Sequence, residues 1–159
     1  MDPFSYLSVL TSIILALGIT RLLSGVGRLL PDRSHIQVYW VHLLWTLNVF
    51  LYLVLNWWIL FRWHSQQEWS FFLFLFVLFS PTIAYLLTVL LMPDPFVDGL
   101  DLKQHFLAEG PLYVLTILLM FILSVVAAKI RDERFHAFFV VFFMIYLLGF
   151  ITINLRLLG

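Results

Sequence analysis

Apolar positions in this chain gather into five long runs, at residues 3–30, 37–61, 69–92, 111–128 and 137–158, separated by short polar stretches. A helix needs about 20 residues to cross a hydrocarbon core roughly 30 Å thick, so each run is a candidate span. Barrel strands are only about 10 residues long and alternate apolar with polar positions. The runs here are longer and apolar on every side. Lipid offers no partner to backbone N–H and C=O groups, which leaves the α-helix as the conformation for such a run. The pattern predicts an all-α fold: a polytopic transmembrane helical bundle with five transmembrane helices, in a single domain over 1–159.

The breaks between runs carry turn chemistry. Pro31, Asp32, Arg33 and Ser34 read as a turn, and polar residues close the second run at 62–68 and the fourth at 129–134. Pro81 falls in the middle of the third run, where it removes one backbone bond and predicts a kink. The longest connection, 93–110, opens with Pro93 and Pro95. Within it Asp101 stands three residues before Gln104, a capping-box pattern. Leu102 and Phe106 fall on one face, and Gly110 with Pro111 is expected to stop the segment. This reads as a short interfacial helix lying on the membrane surface.

Composition agrees with a lipid environment. The chain is 63% hydrophobic and 11% charged, against about 45–50% and about 25% in soluble domains. The polar residues are too few to cover a water-exposed surface, so the lipid bilayer is the expected partner. Nine basic and nine acidic residues cancel, and no basic tail suggests nucleic acid. The absence of cysteine excludes disulfides, thiolate metal sites and cysteine nucleophiles. Met1, Asp2, Pro3 and Phe4 lack the basic region of a cleavable signal peptide, so the first run is expected to stay as a multi-pass span. Basic residues are balanced between the side that holds the N-terminus, side A, and the opposite side B. Asp2 at the N-terminal flank of the first run and Arg28 and Arg33 at its C-terminal flank favour the N-terminus outside; the basic loop at 129–134 argues the other way.

Three features are candidates for function. Ser8, Ser12, Ala16, Thr20 and Ser24 form a stripe of small residues at four-residue spacing, flanked by Gly18 and Gly25. Small residues at this spacing let two helix backbones approach closely in lipid. The stripe therefore predicts an interface, either between subunits or within the bundle, and marks the first helix as one that packs. Arg21 lies well inside the first run, where a charge costs about 2.5–3.5 kcal/mol on insertion scales and faces the bundle interior or water. No acid lies inside any run, so its partner is a loop carboxylate or a backbone carbonyl, unless the side chain snorkels to the interface. Finally, His42, Trp45, Asn48, Tyr52 and Asn56 share one face of the second helix. Amides and imidazole would be unsatisfied in lipid, so that face points inward.

By depth, Arg21, His42, Asn48, Asn154 and Arg156 gather toward side B as a candidate ligand-binding set. His35, His42 and His105 lie on that side too, but their spacings match no ligand box, so neither metal nor cofactor is expected. No serine stands in a nucleophile elbow and no catalytic residue can be assigned. The leading reading is a non-enzymatic homo-oligomer whose arginine-bearing cavity conducts or binds a small polar or anionic species. The alternatives are a structural or signalling subunit partnering another membrane protein, and a small membrane-embedded enzyme.

Overall fold

The computed structural model describes residues 2–29, 38–92 and 101–131, and these are helical apart from their connections. The α-helices are α1 (Pro3–Leu29), α2 (Trp40–Leu60), α3 (Phe71–Leu91), α4 (Leu102–Ala108) and α5 (Gly110–Arg131). Four of them, α1, α2 with its extension, α3 and α5, are long and apolar enough to cross a membrane. The fifth run expected from sequence, 137–158, lies outside the described residues. The chain divides into two compact units, Met1–Glu109 and Gly110–Gly159.

Local signals place the helix starts. Pro3 occupies the first helical position of α1, where its missing N–H costs nothing. The Asp2 carboxylate accepts hydrogen bonds from the Ser5 amide and the Ser5 hydroxyl. Ser70 caps α3, its Oγ accepting from the Leu73 amide at 3.1 Å. Asp101 caps α4 by accepting from the Lys103 and Gln104 amides at 2.8 and 3.3 Å. The helix expected in the long connection thus forms, with Leu102 and Phe106 buried together as the sequence pattern indicated. It ends directly before Gly110 and Pro111. Glu109 is its C-cap, and Pro111 stands in the first turn of α5, a position that needs no N–H donor. Past Leu60, α2 tightens into a 3₁₀ turn, Phe61–Trp63.

In the first unit α1 and α3 run parallel with α2 antiparallel to both. Phe4, at the start of α1, meets His64 just past the end of α2, with ring centroids 5.3 Å apart. Gly25, near the other end of α1, meets Met92 just past α3. The packed seam of α1 is Leu7, Thr11, Leu15, Gly18, Leu22 and Gly25, buried at three- and four-residue spacing. Gly18 of this seam meets Leu53 of α2 and Thr88 of α3, and the buried residues of α3 include Val77, Pro81 and Ala84 beside Thr88.

The small-residue stripe lies beside this seam. Of the stripe, Ser8 and Ser12 are half-buried, and Ala16, Thr20 and Ser24 are exposed. Within the seam, Gly18 and Gly25 allow the closest approaches. A Cβ on Gly18 would lie 3.3 Å from Leu53 Cδ2 and 3.5 Å from Thr88 Cγ2; on Gly25 it would lie 2.5 Å from Met92 Sδ. Between two parallel helices a missing Cβ gains more approach than a short side chain does. The α1 surface outside the seam also carries exposed Leu10, Ile13, Leu17 and Leu23, so α1 both packs and faces outward.

In the second unit, α5 buries Tyr113, Ile117 and Met120 at helical spacing. Two of its hydroxyls bond within the helix, Thr116 donating to the Leu112 carbonyl and Ser124 to the Met120 carbonyl.

Candidate functional site at the end of α3

A helix leaves its last carbonyls without intrahelical partners. In water they are hydrated; inside an apolar bundle each needs another donor. At the side-B end of α3 those donors are basic side chains. His105 Nε2 lies 3.0 Å from the Leu90 carbonyl, His42 Nε2 2.7 Å from the Leu91 carbonyl, and Arg21 Nη2 donates to the Met92 carbonyl at 3.3 Å. They come from α4, α2 and α1 respectively, so each of the other helices in this unit supplies one. Cationic and imidazole groups suit this position, because the C-terminal end of a helix carries negative partial charge.

His42 is fully buried. Donation to Leu91 requires the tautomer with its proton on Nε2, which leaves Nδ1 as an acceptor, and Nδ1 has no hydrogen-bond partner among the described residues. The Phe106 ring meets His42 edge-on, with centroids 6.2 Å apart. Phe106 also stands 6.0 Å from Tyr39 and 6.1 Å from Trp45, so three rings at successive turns of α2 form a socket for it. Leu102 completes the anchorage by packing on Leu29, with Tyr39 against the pair. Burial pushes the Tyr39 phenol above its ordinary pKa. α4 is therefore held to the bundle by one aromatic plug, one aliphatic contact and one imidazole.

Of the residues singled out by sequence, the structure brings Arg21 and His42 together on one turn of α3. Asn48 is half-buried on α2, six residues from His42, or about 9 Å along the axis. Asn154, Arg156 and His35 lie outside the described residues. The polar face of α2 points inward at His42 and Trp45, both buried. Further along it, Asn56 donates to Ser80 Oγ at 2.7 Å, and the Tyr52 hydroxyl stands beside both. Trp57 Nε1 donates to Ser12 Oγ at 3.2 Å, which settles one hydroxyl of the small-residue stripe.

Sequence reasoning offered a carbonyl as one partner for Arg21 but gave His105 no part in the cluster. The available signal was position: His105 precedes Phe106, so it flanks the buried face of α4. The carbonyls themselves have no side-chain signature. Only a helical run ending at Met92, before the prolines of 93–95, implies that backbone acceptors there need donors from elsewhere. Compared with known proteins, the chain matches no family model, no curated protein and no solved structure.

Proposed function

We propose that this chain is a non-enzymatic, multi-pass membrane protein that assembles with a second copy or another membrane protein through the outward face of α1. In this reading its basic side-B cluster is an internal clasp. The observation that carries it is the engagement of Arg21, His42 and His105 with the last carbonyls of α3. These donors surround the negative end of a helix, which would repel an anion. Assembly is supported by the stripe at Ala16, Thr20 and Ser24, exposed beside a shallow open groove lined by Ser8, Val9, Ser12, Ile13 and Ala16. The Ser8 and Ser12 hydroxyls are already bonded, to the Ser5 carbonyl and to Trp57. An apolar helix seated there would break neither of these bonds.

A second reading, a polar cavity that binds or conducts a small polar or anionic species, draws on Arg21 being only half-buried. One set of variants separates the two. Ala16→Leu with Thr20→Leu should reduce the mass of the intact detergent complex while leaving thermal stability unchanged, because both residues are exposed. An unchanged mass would remove assembly from the proposal. Arg21→Lys should keep stability, since an ammonium can serve a single carbonyl, while Arg21→Met should cost about 1–2 kcal/mol. A stable Arg21→Met variant that has lost anion binding or conductance would favour the cavity.

A further inference from the structure

At the side-B end of α1 a buried apolar contact has an exposed basic residue on either side of it in the chain. Leu29 and Leu102 are buried against each other, and Tyr39 packs on the pair. Leu29 closes α1 and Leu102 opens α4, so the contact joins the ends of two helices. Arg28 stands one residue before Leu29 and Lys103 one residue after Leu102, and both are exposed. Consecutive Cα atoms are about 3.8 Å apart, so each basic residue begins beside the contact and its long side chain extends the reach.

The described acids of α4 are placed otherwise. Asp101 turns its carboxylate to the Lys103 and Gln104 amides, at 2.8 and 3.3 Å. Glu109 is the C-cap, six residues from Lys103 or about 9 Å along the axis. Trp40, next to Tyr39, is 64% exposed, which suits the layer where headgroups meet hydrocarbon. Tyr39 has the same two-sided character, a ring packed on leucines and a hydroxyl that can donate. Phosphate is the anion of that layer. A guanidinium offers it two parallel donors, and an ammonium offers a compact charge.

We infer that Arg28, Lys103 and Tyr39 form a binding site for the phosphate of an anionic phospholipid headgroup, seated over the Leu29–Leu102 contact. α1 and α4 each supply one positive charge, and the start of α2 supplies a neutral donor. A zwitterionic headgroup carries its own cation, which these two basic groups repel, so a headgroup of net negative charge is preferred. The bound lipid bridges α1 and α4. The site rests on the membrane reading and is independent of assembly through α1.

The test offers the full-length protein, in detergent, an equal mixture of phosphatidylglycerol and phosphatidylcholine, and weighs retained lipid by native mass spectrometry. Wild type should hold phosphatidylglycerol in excess. A basic residue near an anionic surface contributes about 1 kcal/mol, so Lys103→Gln should cut that excess about fivefold. Adding Arg28→Gln should cut it further, and Tyr39→Phe, which keeps the ring, should lower it less. Both basic side chains are exposed, so these variants should fold; if the double variant does not, Lys103→Gln alone decides. Equal retention of the two lipids by wild type, or an undiminished excess in Lys103→Gln, would overturn the inference. Inorganic phosphate should fail to displace phosphatidylglycerol. Displacement would identify a site for the free anion and refute the lipid assignment.

Discussion

At the scale of single residues, the glycines of α1 separate close packing from helix propensity. A methyl group on Gly25 would collide with Met92, at 2.5 Å from Sδ and 2.9 Å from Cγ. Gly25→Ala should therefore destabilise by about 1–3 kcal/mol through overpacking, and Met92→Ala should restore much of the loss. Gly27 has nothing within 4 Å of the same position. Gly27→Ala should stabilise by about 0.5–1 kcal/mol, since only helix propensity changes. Thermal or denaturant melts in one detergent measure both. Asp2 offers a pH test. The hydrogen bond from the Ser5 hydroxyl holds its carboxyl below the ordinary 3.8. A depressed carboxylate contributes stability that is fully present above the unfolded value and lost as pH falls through the folded one. Exchange protection of the Ser5 amide should thus fall as pH drops below about 3.8, and Asp2→Asn should abolish that dependence. If protection in wild type stays flat to lower pH, the carboxylate does not hold the first turn of α1.

At the scale of the element, α4 is the shortest α-helix among the described residues. Seven residues are too short to hold a helix by themselves, so tertiary anchorage decides. Phe106→Ala empties the socket of Tyr39, His42 and Trp45 and should cost about 3–5 kcal/mol locally. In limited proteolysis the variant should be cut within 102–108 while α1, α2 and α3 remain protected; equal protection in both proteins would deny Phe106 its role. α4 also shows what could be read in advance. Asp101 before Gln104, with Leu102 and Phe106 one turn apart, gave the helix, its cap and its buried face, because each is a local signal. The seam of α1 could not be read in this way. Its small residues recur at four-residue spacing on one face and its glycines lie on another, and only the partner helix decides which face is used. The clasp at α3 was half legible: Arg21 and His42 stand out as polar residues in apolar runs, whereas backbone carbonyls leave no mark in a sequence.

For the whole molecule, the aromatic residues suggest how the first unit sits in a bilayer. Trp57, Trp58, Phe71 and Phe72 are exposed toward one end, and Trp40 is exposed at the other. The 21 residues of α3 between these ends are about 30 Å long, the thickness of a hydrocarbon core. Exposed aromatics at both margins suit the interfaces. In single-tryptophan variants reconstituted into brominated lipid, Trp40, Trp57 and Trp58 should be quenched most by bromine near the headgroups. Trp45 and Trp63, 7% and 5% exposed, should be largely spared. Quenching of Trp58 greatest with bromine at the chain ends would move the membrane away from this placement. The clasp at the end of α3 has a further consequence, for the order in which the chain matures. Arg21 and His42 precede α3 in synthesis and are in place when Leu91 and Met92 arrive. His105 follows, and α4 then brings its imidazole to the Leu90 carbonyl. A nascent chain halted just past Met92 would have two of its three carbonyl donors, and the arrival of α4 is the step that completes the unit.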